Sequence, residues 1–236
     1  MDEQKLRDFA KKLDENFDLG NAKLPKEYFY SNLPLCVLDA IYSIGVRYTS
    51  TENTVRRYYE AFHVTPYRDS AEFPAEQEQH TMSQLKNNIQ NVGIEAFVGK
   101  KYLKNMQRTS SRNGILKAEA VLACAELFAK NGIETLQDFA EKWNPEIEAE
   151  YLKIRGQKSG ISLAYLKMLC GDDTKVKPDR HILRYLKREY SANVELADAQ
   201  PIIEATTKIL NEKYPTLTVR QVDYLIWDYM RGQKKS

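Results

Sequence analysis

Residues 151–190, YLKIRGQKSGISLAYLKMLCGDDTKVKPDRHILRYLKREY, hold the residue types whose order could do chemistry. Gly156 and Gly160 bracket Gln157, Lys158 and Ser159 between two apolar-periodic runs, which predicts a tight turn joining two helices. Such a turn exposes backbone N–H groups at the start of its second helix, where the helix dipole favours a phosphate. Arg155 and Lys158 add positive charge beside it, so binding there should weaken steeply with salt. Further on, Asp179 stands directly before Arg180 and His181, at the start of a third helix. Two roles are open to it. As an N-cap it would contribute about 1 kcal/mol; in a water-poor pocket, its carboxylate would stabilise positive charge developing on a substrate. Every helical protein has glycine turns and aspartate caps, so the elements around this stretch must decide its meaning.

Those elements read as helices. Apolar residues recur at three and four in Leu35, Leu38, Ile41 and Tyr42, and in Leu116, Ala120, Cys124, Leu127 and Phe128, with no sustained alternating pattern. An all-α fold is predicted, with helices near 4–17, 34–44, 51–62, 78–92, 115–130, 135–143, 145–154, 161–169, 180–190, 197–213 and 219–230. Start signals are Ser50 or Thr51, Asn144 before Pro145, and Thr218. With 42% hydrophobic and 29% charged residues, and no 18-residue apolar run, the composition excludes a membrane-spanning helix and fits a globular protein. The N-terminus is charged from its second residue and lacks an apolar core, so a cytoplasmic location is expected. Cys36, Cys124 and Cys170 are far apart in apolar text, which predicts buried, reduced thiols and no zinc or iron–sulfur site.

The net charge of +2 is unevenly spread. Residues 100–117 carry Lys100, Lys101, Lys104, Arg108, Arg112 and Lys117 without an acid, and a second basic run lies in 153–188. Acids collect in 69–78 and 134–150. The pattern fits a basic face for a polyanion, or simply solvated helix faces. Glu119, Glu126 and Asp39 read as surface or capping groups on amphipathic helices.

IRGQKSGISLAYLKMLCG followed by VKPDRHILRYL resembles the hairpin and aspartate signature of the helix-hairpin-helix (HhH-GPD) DNA glycosylase superfamily, which includes endonuclease III and the adenine glycosylase. Upstream, LPLCVLDAIYSIGVRYTSTENTVRRYYEAF is similar to that family's first core helix, wedge turn and following helix, and SSRNGILKAEAVLACAELF to its Y-R-N-K-A segment. Most of residues 33–190 is covered, and LTVRQVDYLIWDYMR resembles the closing helix of uncharacterised bacterial members. The resemblance implies a two-lobed helical bundle: a six-helix-type lobe at about 34–150 and a hairpin lobe built from 1–33 and 151–236. It implies double-stranded DNA as partner, with Arg155, Gly156, Gln157, Lys158, Ser159, Gly160, His181 and Arg112 at the DNA. Asp179 would be the catalytic carboxylate, and Arg47, Tyr48 and Trp227 would serve as wedge or base pocket. A monovalent cation at the hairpin is the one cofactor it admits. Protein partners and the target lesion are not legible.

Departures from the family narrow the chemistry. Members that also cleave the backbone carry a lysine four residues after the first hairpin glycine, where this chain has Gly160, so a Schiff-base route lacks its nucleophile. The wedge glutamine is replaced near Arg47 and Tyr48, and the four-cysteine cluster loop is missing. A monofunctional, hydrolytic glycosylase is therefore expected. A DNA-binding module that has lost chemistry and a helical protein-interaction domain are the alternatives.

Overall fold

The computed structural model describes residues 2–233. Among them are twelve α-helices and four short 3-10 turns, with no strand and only two isolated bridges, Tyr30 to Tyr67 and Arg108 to Leu116. The chain divides into two units, Lys26–Gly171 and a second one made of the residues up to Pro25 with those from Asp172 onward.

Lys26–Gly171 is built around α2 (Leu33–Tyr42), whose ten residues are all buried. LPLCVLDAIY is apolar on every face, so this helix gains most by taking the centre. Asn32 caps it, accepting from Leu35 N at 3.2 Å, and Pro34 sits in its first turn. Around it pack α3 (Tyr48–Ala61), α6 (Lys117–Lys130) and α9 (Ile161–Leu169), with α4 (Met82–Val92) laid on α6. Three further helices, α5 (Ile94–Val98), α7 (Leu136–Lys142) and α8 (Pro145–Lys153), complete the unit.

In the terminal unit α1 (Glu3–Asn16) packs along α11 (Ala199–Leu210), and α10 (Arg180–Glu189) along α12 (Val219–Gly232). Leu6, Phe9 and Leu13 meet Ile182, Tyr185, Ile202, Ile203 and Ile226 in one apolar core. The Phe9 ring lies 6.1 Å from Tyr185 and 5.6 Å from Tyr190.

Several boundaries differ from expectation. Residues 151–171 pack with 26–150 rather than with the termini, because Leu163, Leu166 and Leu169 are buried and α9 lies on α2. Helix α3 starts at Tyr48, before Ser50 and Thr51; Ser50 Oγ instead accepts from Gln107 Nε2 at 3.1 Å, and Thr51 is buried. Helix α4 starts at Met82, where Thr81 and Gln84 form a reciprocal capping box. The three cysteines are free and buried. No helix among the described residues is long and apolar enough to cross a membrane.

Candidate nucleic-acid interface

The glycine turn exists and its register is fixed from within. After α8 the chain passes through Gly156 at φ +94° and Gly160 at φ +73°, and Gly160 opens α9. Gln157 turns inward and is 2% exposed, which corrects its expected DNA-facing role. Tyr151 donates to Ser162 Oγ at 3.1 Å, and Ser162 donates to Gln157 Oε1 at 2.5 Å, so a buried chain of hydrogen bonds ties the turn to both helices. With Gln157 as strut, Arg155, Lys158 and Ser159 are left exposed.

The acid-free basic segment lies against this turn. A Cβ on Gly156 would stand 2.3 Å from Thr109 Cβ, so the Thr109 side chain sits against the Gly156 backbone where only glycine leaves room. Thr109 belongs to a loop folded back on itself, with Thr109 N donating to Ile115 O at 2.9 Å and Arg108 Nη1 to Gly114 O at 2.8 Å. Lys100, Lys101, Lys104, Arg108 and Arg112 are exposed along it. Lys117 is not. It is 2% exposed and donates to Tyr42 O and Ile44 O, each at 2.8 Å, so its charge serves the end of α2 rather than a ligand. Lys117→Met, which leaves both carbonyls without this partner, is expected to cost about 2 kcal/mol in urea unfolding.

The turn after α2 is anchored by a buried carboxylate. Asp39 is fully buried, not the surface or capping group expected, and its Oδ2 accepts from Tyr30 and Tyr48 hydroxyls at 3.0 Å and from Tyr165 at 3.5 Å. Burial, and then the charge of Asp39, push all three phenols well above their ordinary pKa. Tyr48 is thus half-buried with its hydroxyl held, whereas Arg47 is exposed beside it.

In the terminal unit, Asp179 is the N-cap of α10: its Oδ1 accepts from His181 N at 2.7 Å and Ile182 N at 3.2 Å. The segment leading to it is held at three points. Gln200 Oε1 accepts from Val176 N at 2.9 Å, Asp223 Oδ1 from Lys177 N at 3.0 Å, and the Arg220 guanidinium pairs with Asp173 at 2.7 Å. Asp223 is 2% exposed; burial first, and then the charge of Asp179, hold its carboxyl well above the usual range, against the opposing Lys177 N–H bond. His181 is half-buried with Nδ1 enclosed, and burial lowers its pKa. Trp227 packs on the core of this unit with the Arg231 guanidinium 4.6 Å from its ring.

A family model described as a domain of unknown function, DUF8548, matches residues 7–231. The chain belongs to DUF8548. No curated protein and no solved structure matches it. The matched span includes the turn, the basic loop and both aspartates, so every candidate here lies within the DUF8548 domain itself.

Asp223 stands one helical turn before Trp227 on α12 and is buried in this DUF8548 chain. Because its folded pKa is raised, the folded chain keeps a proton that the unfolded chain releases near pH 4, so its stabilising contribution is present in acid and is lost as pH rises through the folded value. Asp223→Asn keeps an oxygen for Lys177 N and removes the ionisation. Urea unfolding from pH 4 to 8 is expected to show the variant gaining on the parent protein as pH rises; parallel curves would assign the slope elsewhere.

Proposed function

We propose that the chain binds double-stranded DNA and removes a damaged or mispaired base by hydrolysing its N-glycosidic bond, as its resemblance to the helix-hairpin-helix glycosylases implies. The observation that carries this reading is the seating of Gly156 on Thr109. It joins the exposed turn at Lys158 and Ser159 to a run of exposed cations, with Arg155 and Lys158 from the turn and Arg108 and Arg112 from the loop. Backbone donors and cations of this kind grip phosphates whatever the sequence, which suits an enzyme that must scan DNA.

The chemistry rests on the terminal unit. When a base departs, positive charge develops on the deoxyribose, and a fixed carboxylate stabilises that transition state more than it stabilises neutral substrate. Asp179 is the carboxylate proposed for this, with orientation or deprotonation of the attacking water as its second task. Its Oδ1 serves the helix cap, which leaves Oδ2 for the substrate. Asp223, keeping its proton to higher pH, would leave Asp179 as the single negative charge of the pair. The target base must first leave the stack, at a cost of roughly a few kcal/mol that is smallest for damaged or mispaired bases.

A second reading, a DNA-binding protein of the same type without catalysis, is favoured by the capping bonds of Asp179 and by Gly160 in place of the lyase lysine. Two measurements separate the readings. Binding to a short duplex between low and moderate salt should fall log-linearly, and replacing Arg155 and Lys158 together by alanine should lower the slope by about 2. A flat salt response sinks both. Release of base from a panel of lesion-bearing and mispaired duplexes then supports the first reading, and its absence across the panel the second.

A further inference from the structure

Within Lys26–Gly171, and apart from the turn and basic loop, a cavity of about 210 Å³ opens beside α3. Tyr30, Tyr59 and Tyr67 form its aromatic walls, and Glu27 and Glu52 add carboxylates. We propose that this cavity binds a methylated ammonium group.

Two part-exposed rings are open to a cation: Tyr59 meets Tyr67 nearly edge-on at 6.4 Å and 70°, while Tyr30, 1% exposed, stacks on Tyr67 at 5.6 Å with 19° between their planes and so supports that ring rather than facing a ligand. The protein already places an ammonium on this surface: Lys26 Nζ lies 5.0 Å from the centre of the Tyr67 ring. Lys26 is exposed, so a better cation can displace it. A methylated ammonium is less strongly hydrated than a lysine head and gives up less water on meeting a π-face.

The local charge agrees. Of the two lining cations, Arg56 is already paired, with Nη1 at 3.0 and 3.1 Å from the Glu60 oxygens and Nη2 at 3.2 Å from Asn53. That leaves Lys26 against Glu27 and Glu52, neither of which makes an ion pair among the described residues, and Asp39 lies behind Tyr30. The negative field is felt at the wall itself: the Tyr67 hydroxyl is pushed above its ordinary pKa by burial first, and then by Glu27, Tyr59, Asp39 and Glu52. Size restricts the ligand. Pockets for drug-sized molecules run to about 300–1,000 Å³, so this one suits a head group of a few heavy atoms rather than a nucleotide.

The test is calorimetric titration of the full chain with choline, with its neutral isostere 3,3-dimethylbutan-1-ol, and with a trimethyllysine peptide beside its unmethylated form. Saturable binding of choline or of the methylated peptide is expected, at least about 10-fold tighter than the matching uncharged or unmethylated probe. Glu27→Gln with Glu52→Gln should weaken it, and Lys26→Ala should tighten it by vacating the ring, an improvement that damage to the fold would not produce. Peptide binding much tighter than choline binding assigns the group to a protein tail, and equal binding to a free or lipid head group. No saturable binding of either probe, equal binding of the neutral isostere, or indifference to the two carboxamides overturns the proposal.

Discussion

Asp179→Asn is expected to lower base release by at least about 100-fold, the usual scale for losing a positioned acid or base, while leaving α10 folded. The expectation rests on the double position of this carboxylate. Its Oδ1 holds His181 N and Ile182 N, and asparagine, as good an N-cap as aspartate, can hold both through its own oxygen. The substitution therefore removes charge without removing the cap. Asp179→Ala removes both, and should cost a further 1 kcal/mol or so in unfolding, about 2–4 °C for a chain of this length. If asparagine releases base as the parent does, the carboxylate has no catalytic part. If neither releases base and alanine alone is destabilised, Asp179 is a cap and the non-catalytic reading stands.

Gly156→Ala should strongly disrupt Lys26–Gly171, where only Gly114, whose added carbon would fall 2.3 Å from Ser110 N, is as crowded among the glycines. The new carbon would fall 2.3 Å from Thr109 Cβ, and φ +94° is a conformation that side chains resist. Overpacking and backbone strain together are expected to cost about 3 kcal/mol in urea unfolding, with loss of DNA affinity as the basic loop is pushed off the turn. Gly160→Ala is the control: it shares a positive φ, but its nearest neighbour, Leu152 Cδ2, is at an ordinary 3.9 Å, so about 1 kcal/mol is expected. Because the closest clash at Gly156 is with a β-carbon, Thr109→Ala should leave most of the cost in place, and Thr109→Gly should recover the overpacking share while the strain of φ +94° remains. Equal costs at the two glycines would refute the close approach.

What the sequence disclosed follows from the range of each interaction. Asn144 before Pro145 and Thr218 before Val219 announce their helices because a cap is local chemistry, and both helices begin there. Helix α3 hid its start because Arg47, its capping residue, contributes no side-chain bond. The turn was legible from glycine spacing, whereas the inward rotation of Gln157 depends on Ser162 and Tyr151 and leaves no mark in the turn itself. Thr109 meets Gly156 across a separation that no periodicity reports. Asp39 was readable in hindsight: a helix apolar on all faces is buried on all faces, and the one aspartate within LPLCVLDAIY had to be buried with it.

The terminal unit has a consequence for the order in which the protein matures. Its helix α1 leaves a ribosome before Lys26–Gly171 does, yet α11, against which it packs, follows only after it. Lys26–Gly171 has its whole sequence at hand long before then and can condense during synthesis, while α1 waits with Leu6, Phe9 and Leu13 uncovered. The strut from Asp223 to Lys177 comes later still. A nascent chain would thus fold its glycine turn and basic loop before Asp179 is set, and shortening the chain within α12 would leave both in place while removing the strut that holds the segment leading to Asp179.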